Sequence, residues 1–162
     1  MKLVTGGAFQ GKLAYAEERY GVWDGWIDGR SCALSEIKTC RGIYAFHEYV
    51  RRWLEQERDA FEDEPNKRKA DGEAFPQGDS EGWELSVDAR AEAFAWMLFR
   101  ENPEMVVVTN ELGCGIVPMD PADREYRETV GRVCTCLAAR SEEVVRVICG
   151  VGMVLKETCH KS

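Results

Sequence analysis

The sequence predicts a single α/β domain, with a mostly parallel sheet flanked by helices. Three observations predict it. Short apolar, β-branched runs alternate with longer stretches whose apolar residues recur every three or four positions. One run, Met105 to Thr109 (MVVVT), is apolar without alternation, the pattern of a strand buried on both faces. The first run, residues 1–5, leads directly into a glycine-rich turn that opens a helix.

Residues 1–5 read as the first strand, and Lys12 to Tyr20 (KLAYAEERY) as the helix after the turn. Gly21 to Arg30, rich in Gly, Asp and Trp, reads as a connection with a short strand around Trp26 and Ile27; Cys32 to Ser35 reads as another. Ile43, Phe46, Val50, Trp53, Leu54 and Phe61 form one apolar stripe and predict a helix over 43–61. Composition then shifts. Residues 62–82 are charged and carry two Pro and three Gly, which predicts a solvated loop or flexible insertion. Ser86 is an N-cap candidate for a helix to Glu101, ended by Asn102-Pro103. Asp120-Pro121 pairs an Asp cap with Pro at the first helical position and predicts a helix to about Arg140. Val144 to Cys149 reads as a buried strand and Met153 to Lys156 as a short last one, with Gly150-Val151-Gly152 as the bend between them.

The chain has 162 residues and a net charge of −8, which argues against a general nucleic-acid or acidic-membrane binder. No apolar run reaches the ~18 residues of a membrane span. The N-terminus lacks the basic-then-apolar pattern of a secretory signal, and Val4 and Thr5 lead straight into the turn, so it is expected to be structural. The seven cysteines include no C-x-x-C pair and there are only two histidines. That pattern argues against a zinc site and for reduced, mostly buried thiols in a cytoplasmic protein.

The turn after the first strand reads Gly6-Gly7-Ala8-Phe9-Gln10-Gly11-Lys12, which is G-x-x-x-x-G-K, the core of a phosphate-binding P-loop. Glycines let the backbone curl so that its N–H groups point at phosphates, and the helix N-terminus adds a favourable dipole. Lys12 would reach the β- and γ-phosphates of ATP or GTP as a point charge. The next residue is Leu13, where the motif wants a Ser or Thr hydroxyl for Mg²⁺. The same pattern also occurs as a plain strand-to-helix turn.

A second motif, Thr109 to Pro118 (TNELGCGIVP), follows the MVVV strand and so sits at a carboxyl end, where ligands of open α/β sheets collect. Asn110 and Glu111 are the polar candidates for orienting substrate, and Gly113 and Gly115 allow close backbone approach. Glu36, after Cys32-Ala33-Leu34-Ser35, is either an acid that helps hold metal or its water shell, or a plain helix-start acid. Trp23, Trp26 and Arg30 either line a base or ring system or serve packing. Arg124 and Arg127 read as a solvated helix face.

LVTGGAFQGK at the start, VVVTNELGCGIVP, DREYRETVGRVCTCLAARSEEV and the closing VICGVGMVLK together resemble the adenosylcobinamide kinase / adenosylcobinamide-phosphate guanylyltransferase family of cobalamin biosynthesis. The resemblance covers residues 1–20 and 103–156 and is weak between them. It implies a RecA-like P-loop fold, an NTP ligand, a corrinoid substrate and oligomeric assembly. It also implies two activities: phosphorylation of the aminopropanol arm of adenosylcobinamide, and GMP transfer through a guanylylated histidine. The departures fall at the chemistry. Active members read G-K-S where this chain has Gly11-Lys12-Leu13, and no histidine precedes His47, whose surroundings do not match the family's nucleophile. The expectation is a nucleotide-binding relative that has lost guanylyl transfer. In its kinase form Lys12, Glu36 and Glu111 would serve catalysis, with Mg²⁺ as a candidate ion. The alternative is a non-catalytic nucleotide- or corrinoid-binding regulatory protein.

Overall fold

The computed structural model describes residues 1–21, 24–70, 86–113 and 118–158. Six strands, β1 (Lys2–Thr5), β2 (Trp26–Asp28), β3 (Gly42–Tyr44), β4 (Val106–Val108), β5 (Glu143–Ile148) and β6 (Val151–Glu157), form one sheet in the order β2-β3-β4-β1-β5-β6. The first five run parallel, and β6 returns antiparallel to β5. The return is a two-residue turn with Cys149 at φ 51° and Gly150 at φ 81°. Two positive φ values in succession match the twist of a tight hairpin.

Alternation along the strands divides the core into two layers. Leu3, Ile43, Val107 and Val144 face α2 (Phe46–Ala70), α3 (Val87–Glu101) and α4 (Pro121–Arg140). Val4, Val106, Val108, Val145 and Val147 face α1 (Lys12–Tyr20) through its buried Ala16. A strand with helices on both faces has no polar side to present, which is why MVVVT shows no alternation. The helix layer is locked by rings: Trp53 of α2 stacks on Phe94 of α3 at 4.2 Å between centroids, beside Phe46 and Tyr49. Fully burying one such side chain contributes roughly 1.5–3 kcal/mol.

The caps read from the sequence are present. Ser86 accepts from the Ala89 N–H and Asp120 from the Ala122 N–H, with Pro121 inside the first turn. Three expectations need correction. Ile43 is not in a helix: Gly42–Tyr44 is a buried central strand, and α2 begins at Phe46. Residues 32–35 form no strand; a short 3₁₀ helix, Leu34–Lys38, occupies that stretch. The second helix runs on through Ala70, into the charged segment expected to be loop, and the remainder, 71–82, lies outside the described residues.

Candidate functional site

All five parallel strands point their carboxyl ends the same way, and the two motifs meet there. The loop from Gly6 to Gly11 needs a backbone that side chains resist. Gly6 has φ 149° and a Cβ on it would lie 2.4 Å from the Val147 carbonyl oxygen; Gly11 has φ 78°. Phe9 takes φ 58° with its ring fully exposed, a conformation uncommon for a bulky residue. Lys12 is buried, and its Nζ donates to the Gly7 carbonyl at 2.6 Å, across the cradle. Burial pulls the Lys12 pKa below the ordinary lysine value, and the nearby Glu111 carboxylate partly opposes the shift. Gly11 caps α1 without a side chain, so its first N–H groups are not satisfied by a capping group. Ala8 is exposed, while Gln10 and Leu13 are half-buried.

The β5–β6 turn forms one wall of the cradle. Gln10 receives two hydrogen bonds from it: Cys149 N–H to the side-chain Oε1 at 2.7 Å and Gly150 N–H to the main-chain oxygen at 2.9 Å. The other wall is the segment after β4. Thr109 N–H donates to Val4 and Glu111 N–H to Gly6, both at 3.0 Å, which ties the second motif to the root of the first. Arg127 of α4 donates from Nε to the Leu112 carbonyl at 2.8 Å, so it holds this segment rather than lying on a solvated face. Arg124 stays exposed, as expected of a solvated face, and donates to the Pro118 and Met119 carbonyls. A Cβ on Gly113 would meet nothing within 4 Å, so its glycine is not demanded by packing. Gly115, like Trp23, lies outside the described residues.

Two residues not expected at the site join it. Arg146 of β5, aligned with Thr5 across the sheet, donates to Glu111 Oε2 at 2.8 Å. His47, at the start of α2, is buried with its Nε2 3.0 Å from the Asn110 side-chain amide and its Nδ1 3.4 Å from the Asn110 N–H. Burial lowers its pKa; Glu48 opposes that shift, and Lys12, Arg30 and Arg51 reinforce it. A neutral ring can accept from Asn110, whereas a protonated ring has no lone pair to offer.

Glu36 does not reach the cradle. Its carboxylate accepts the Ala33 N–H at 2.6 Å, closing the 3₁₀ helix on itself. That helix is fastened to the opposite, amino edge of the sheet, where Asn102, ahead of β4, donates from Nδ2 to the Ile37 and Cys40 carbonyls at 3.0 and 2.7 Å. Of the two readings of Glu36, this contact favours the helix-start one. Trp26 also points away from the site: its ring lies over Gly42, where a Cβ would sit 2.6 Å from it. Arg30 is paired with Asp28. A cleft of about 610 Å³ does open near Trp26, Lys2, Arg41 and Glu104, but at the amino edge, remote from both motifs. Of the thiols, Cys32 and Cys40 are buried, Cys134 and Cys136 partly so, and Cys149 exposed. Burial raises the Cys40 and Cys134 thiols to about 12.

Among the described residues at the cradle, the donor set does not fit a magnesium ion held by the protein. Leu13 offers no oxygen, and the Glu111 carboxylate is engaged by Arg146. Among the described residues no group of three His, Cys, Asp or Glu is arranged to hold a metal. No described helix is long and apolar enough to cross a membrane.

A family model described as cobinamide kinase / cobinamide phosphate guanyltransferase matches residues 51–155, more than half of the chain, taking in β4, the segment after it and the closing hairpin. Two curated proteins are similar, each named bifunctional adenosylcobalamin biosynthesis protein CobU. The one from Salmonella typhimurium is 37% identical over 86 residues, 52% of this chain and 48% of its own length. The one from Escherichia coli is 36% identical over 78 residues, 48% of this chain and 43% of its own length. The chain thus spans about half the length of the curated relatives it matches.

Proposed function

The chain belongs to the cobinamide kinase / cobinamide phosphate guanyltransferase family, and from that premise we propose that it binds a nucleoside triphosphate in the 6–13 loop and acts in cobalamin biosynthesis on a corrinoid alcohol. The observation that carries this reading is the buried Lys12 ammonium folded across the loop onto the Gly7 carbonyl at 2.6 Å. Burying a lysine without an anionic partner is costly, and a bound phosphate offsets that cost. Asn110 and Glu111, on the adjoining wall, are the groups that would orient the substrate hydroxyl. Guanylyl transfer is lost in this reading, because a phosphoramidate intermediate needs an accessible imidazole. His47 is buried against Asn110, and His160 lies outside the described residues. The relatives' bifunctional title is theirs, and of the two activities in the family's description this reading gives the chain the kinase one alone.

Calorimetric titration with ATP and GTP, with and without Mg²⁺, tests the reading, with cobinamide phosphorylation assayed on the same samples. Binding with turnover is the expected result. Lys12→Ala should weaken nucleotide binding well over tenfold, and an unchanged affinity would remove the loop from the mechanism. Labelled GTP should leave no acid-labile adduct; a labelled His47 would overturn the loss of guanylyl transfer. A second reading, a nucleotide- or corrinoid-binding regulator without catalysis, is favoured by Leu13, and binding without turnover would select it. Cytoplasmic location and homo-oligomer formation are part of the same proposal.

A further inference from the structure

The cradle contains a cation that the P-loop motif does not call for. Arg146 sits on β5 directly beside Thr5, the last residue before the loop, and its guanidinium reaches Glu111 Oε2 at 2.8 Å. Glu111 is fixed to the loop by its own N–H, which donates to Gly6, and it is near enough to Lys12 for its charge to act on the ammonium. A carboxylate paired with one cation therefore lies within the electrostatic reach of a second, beside the 6–13 loop. Arg146 is 44% exposed and its pair with Glu111 is 26% exposed on the acid's side, so the pair is open to water and exchangeable. A bound terminal phosphate carries more charge than a carboxylate and takes a guanidinium bidentately. At the position where the motif supplies a hydroxyl for Mg²⁺, the chain has Leu13.

We infer that Arg146 is a phosphate-binding residue: it leaves Glu111 for the terminal phosphate of a bound nucleoside triphosphate and supplies there the positive charge that Leu13 cannot recruit through a metal. This rests on nucleotide binding in the 6–13 loop. The consequence is selectivity. Arg146 distinguishes triphosphate from diphosphate, while Lys12 serves both. Triphosphate binding depends on Mg²⁺ less than in a P-loop carrying the hydroxyl.

The test measures ATP, ADP, GTP and GDP affinities by calorimetry in EDTA and in Mg²⁺. The proteins are wild type, Arg146→Ala, Arg146→Gln, Glu111→Gln and the double variant Glu111→Gln/Arg146→Ala. Arg146→Ala should lower triphosphate affinity about tenfold in EDTA and leave diphosphate affinity within twofold; Arg146→Gln gives the same reading if the alanine variant folds poorly. The double variant separates contact from charge neutralisation. If Arg146 touches phosphate, its removal still costs about tenfold when Glu111 is already uncharged. No further loss in that background would overturn the inference, since Arg146 would then only screen Glu111. An unchanged triphosphate affinity in Arg146→Ala alongside a large loss in Lys12→Ala would also overturn it while leaving the loop's function intact. Failure of wild type to bind any nucleotide would remove both.

Discussion

The amino and carboxyl edges of the sheet both carry polar side chains but use them differently. At the amino edge three of them, Glu143, Asn102 and Glu36, are locked to something they cannot leave without cost. Glu143 takes the Arg19 guanidinium and the Tyr20 hydroxyl, Asn102 holds two carbonyls, and Glu36 caps its own turn. At the carboxyl edge the contacts are between side chains and loops that can trade partners: Lys12 on Gly7, Arg146 on Glu111, His47 on Asn110. The difference teaches that the presence of a cleft does not locate the site. The 610 Å³ cleft lies at the locked edge; the strained loop, the buried lysine and the exchangeable ion pair lie at the other. Variants at the carboxyl edge should change ligand binding, and variants at the amino edge should change stability alone.

The largest effect is expected at Gly6. An alanine there combines a φ of 149° with a Cβ 2.4 Å from the Val147 oxygen, a main-chain atom of β5 that cannot step aside. Gly6→Ala should cost about 3 kcal/mol of stability and abolish nucleotide binding, read by thermal denaturation and calorimetry. Wild-type behaviour would mean that the loop is looser than a phosphate cradle requires.

Asn102→Ala is the counterpart at the other edge. It removes the amide donor from the Ile37 and Cys40 carbonyls, leaving Ile37 the weaker Cys40 thiol at 3.5 Å, which should cost about 1–3 kcal/mol, while nucleotide affinity stays within twofold. A loss of affinity as large as that in Lys12→Ala would break the division between the edges.

Much of this arrangement was legible in the sequence, for reasons that differ by element. The helix from Lys12 and the helix from Pro121 were readable because their starts are chemically marked, one by the loop and one by Asp120-Pro121. The strand Gly42–Tyr44 was not. It has three residues, and Ile43 stands three positions from Phe46, so it merged into the helical stripe that follows. That error hid His47. A helix that follows a parallel strand starts at the carboxyl edge, so its first residues face the site; without the strand, His47 falls inside the helix predicted over 43–61 rather than at its start. Arg146 had a signal, a charge inside the apolar run VVRVI, but its partner Glu111 is 35 positions away and only the sheet brings them together. Glu36 kept two readings in the sequence because the chain between Asp28 and Gly42 crosses back to the amino edge, which no local pattern records.

His47 gives a pH-dependent way to sharpen the comparison. Burial depresses its folded-state pKa below the unfolded value of about 6.5. The unfolded chain therefore binds the proton more readily, and stability falls as pH drops below about 6.5 while remaining level above it. The melting temperature of His47→Gln should decline less between pH 6.5 and 5. Because Asn110 is the partner, substrate affinity should weaken over the same range in wild type. A fall of equal steepness in both proteins would assign the acid limb to other groups.

The smallest effect is expected at Glu36, for which the sequence left two readings open. Glu36→Gln keeps an oxygen to accept the Ala33 N–H and removes only the charge, so it should cost at most about 0.5 kcal/mol. On the structure it is a capping residue at the amino edge, and nucleotide affinity, Mg²⁺ dependence and turnover should all be unchanged. A metal-holding acid behaves otherwise: its amide loses most of the Mg²⁺ response while the fold is untouched. Measuring ATP affinity with and without Mg²⁺ in this one variant therefore separates the two. A loss confined to the Mg²⁺ condition would bring the stretch around Glu36 back to the cradle and undo the separation of the edges.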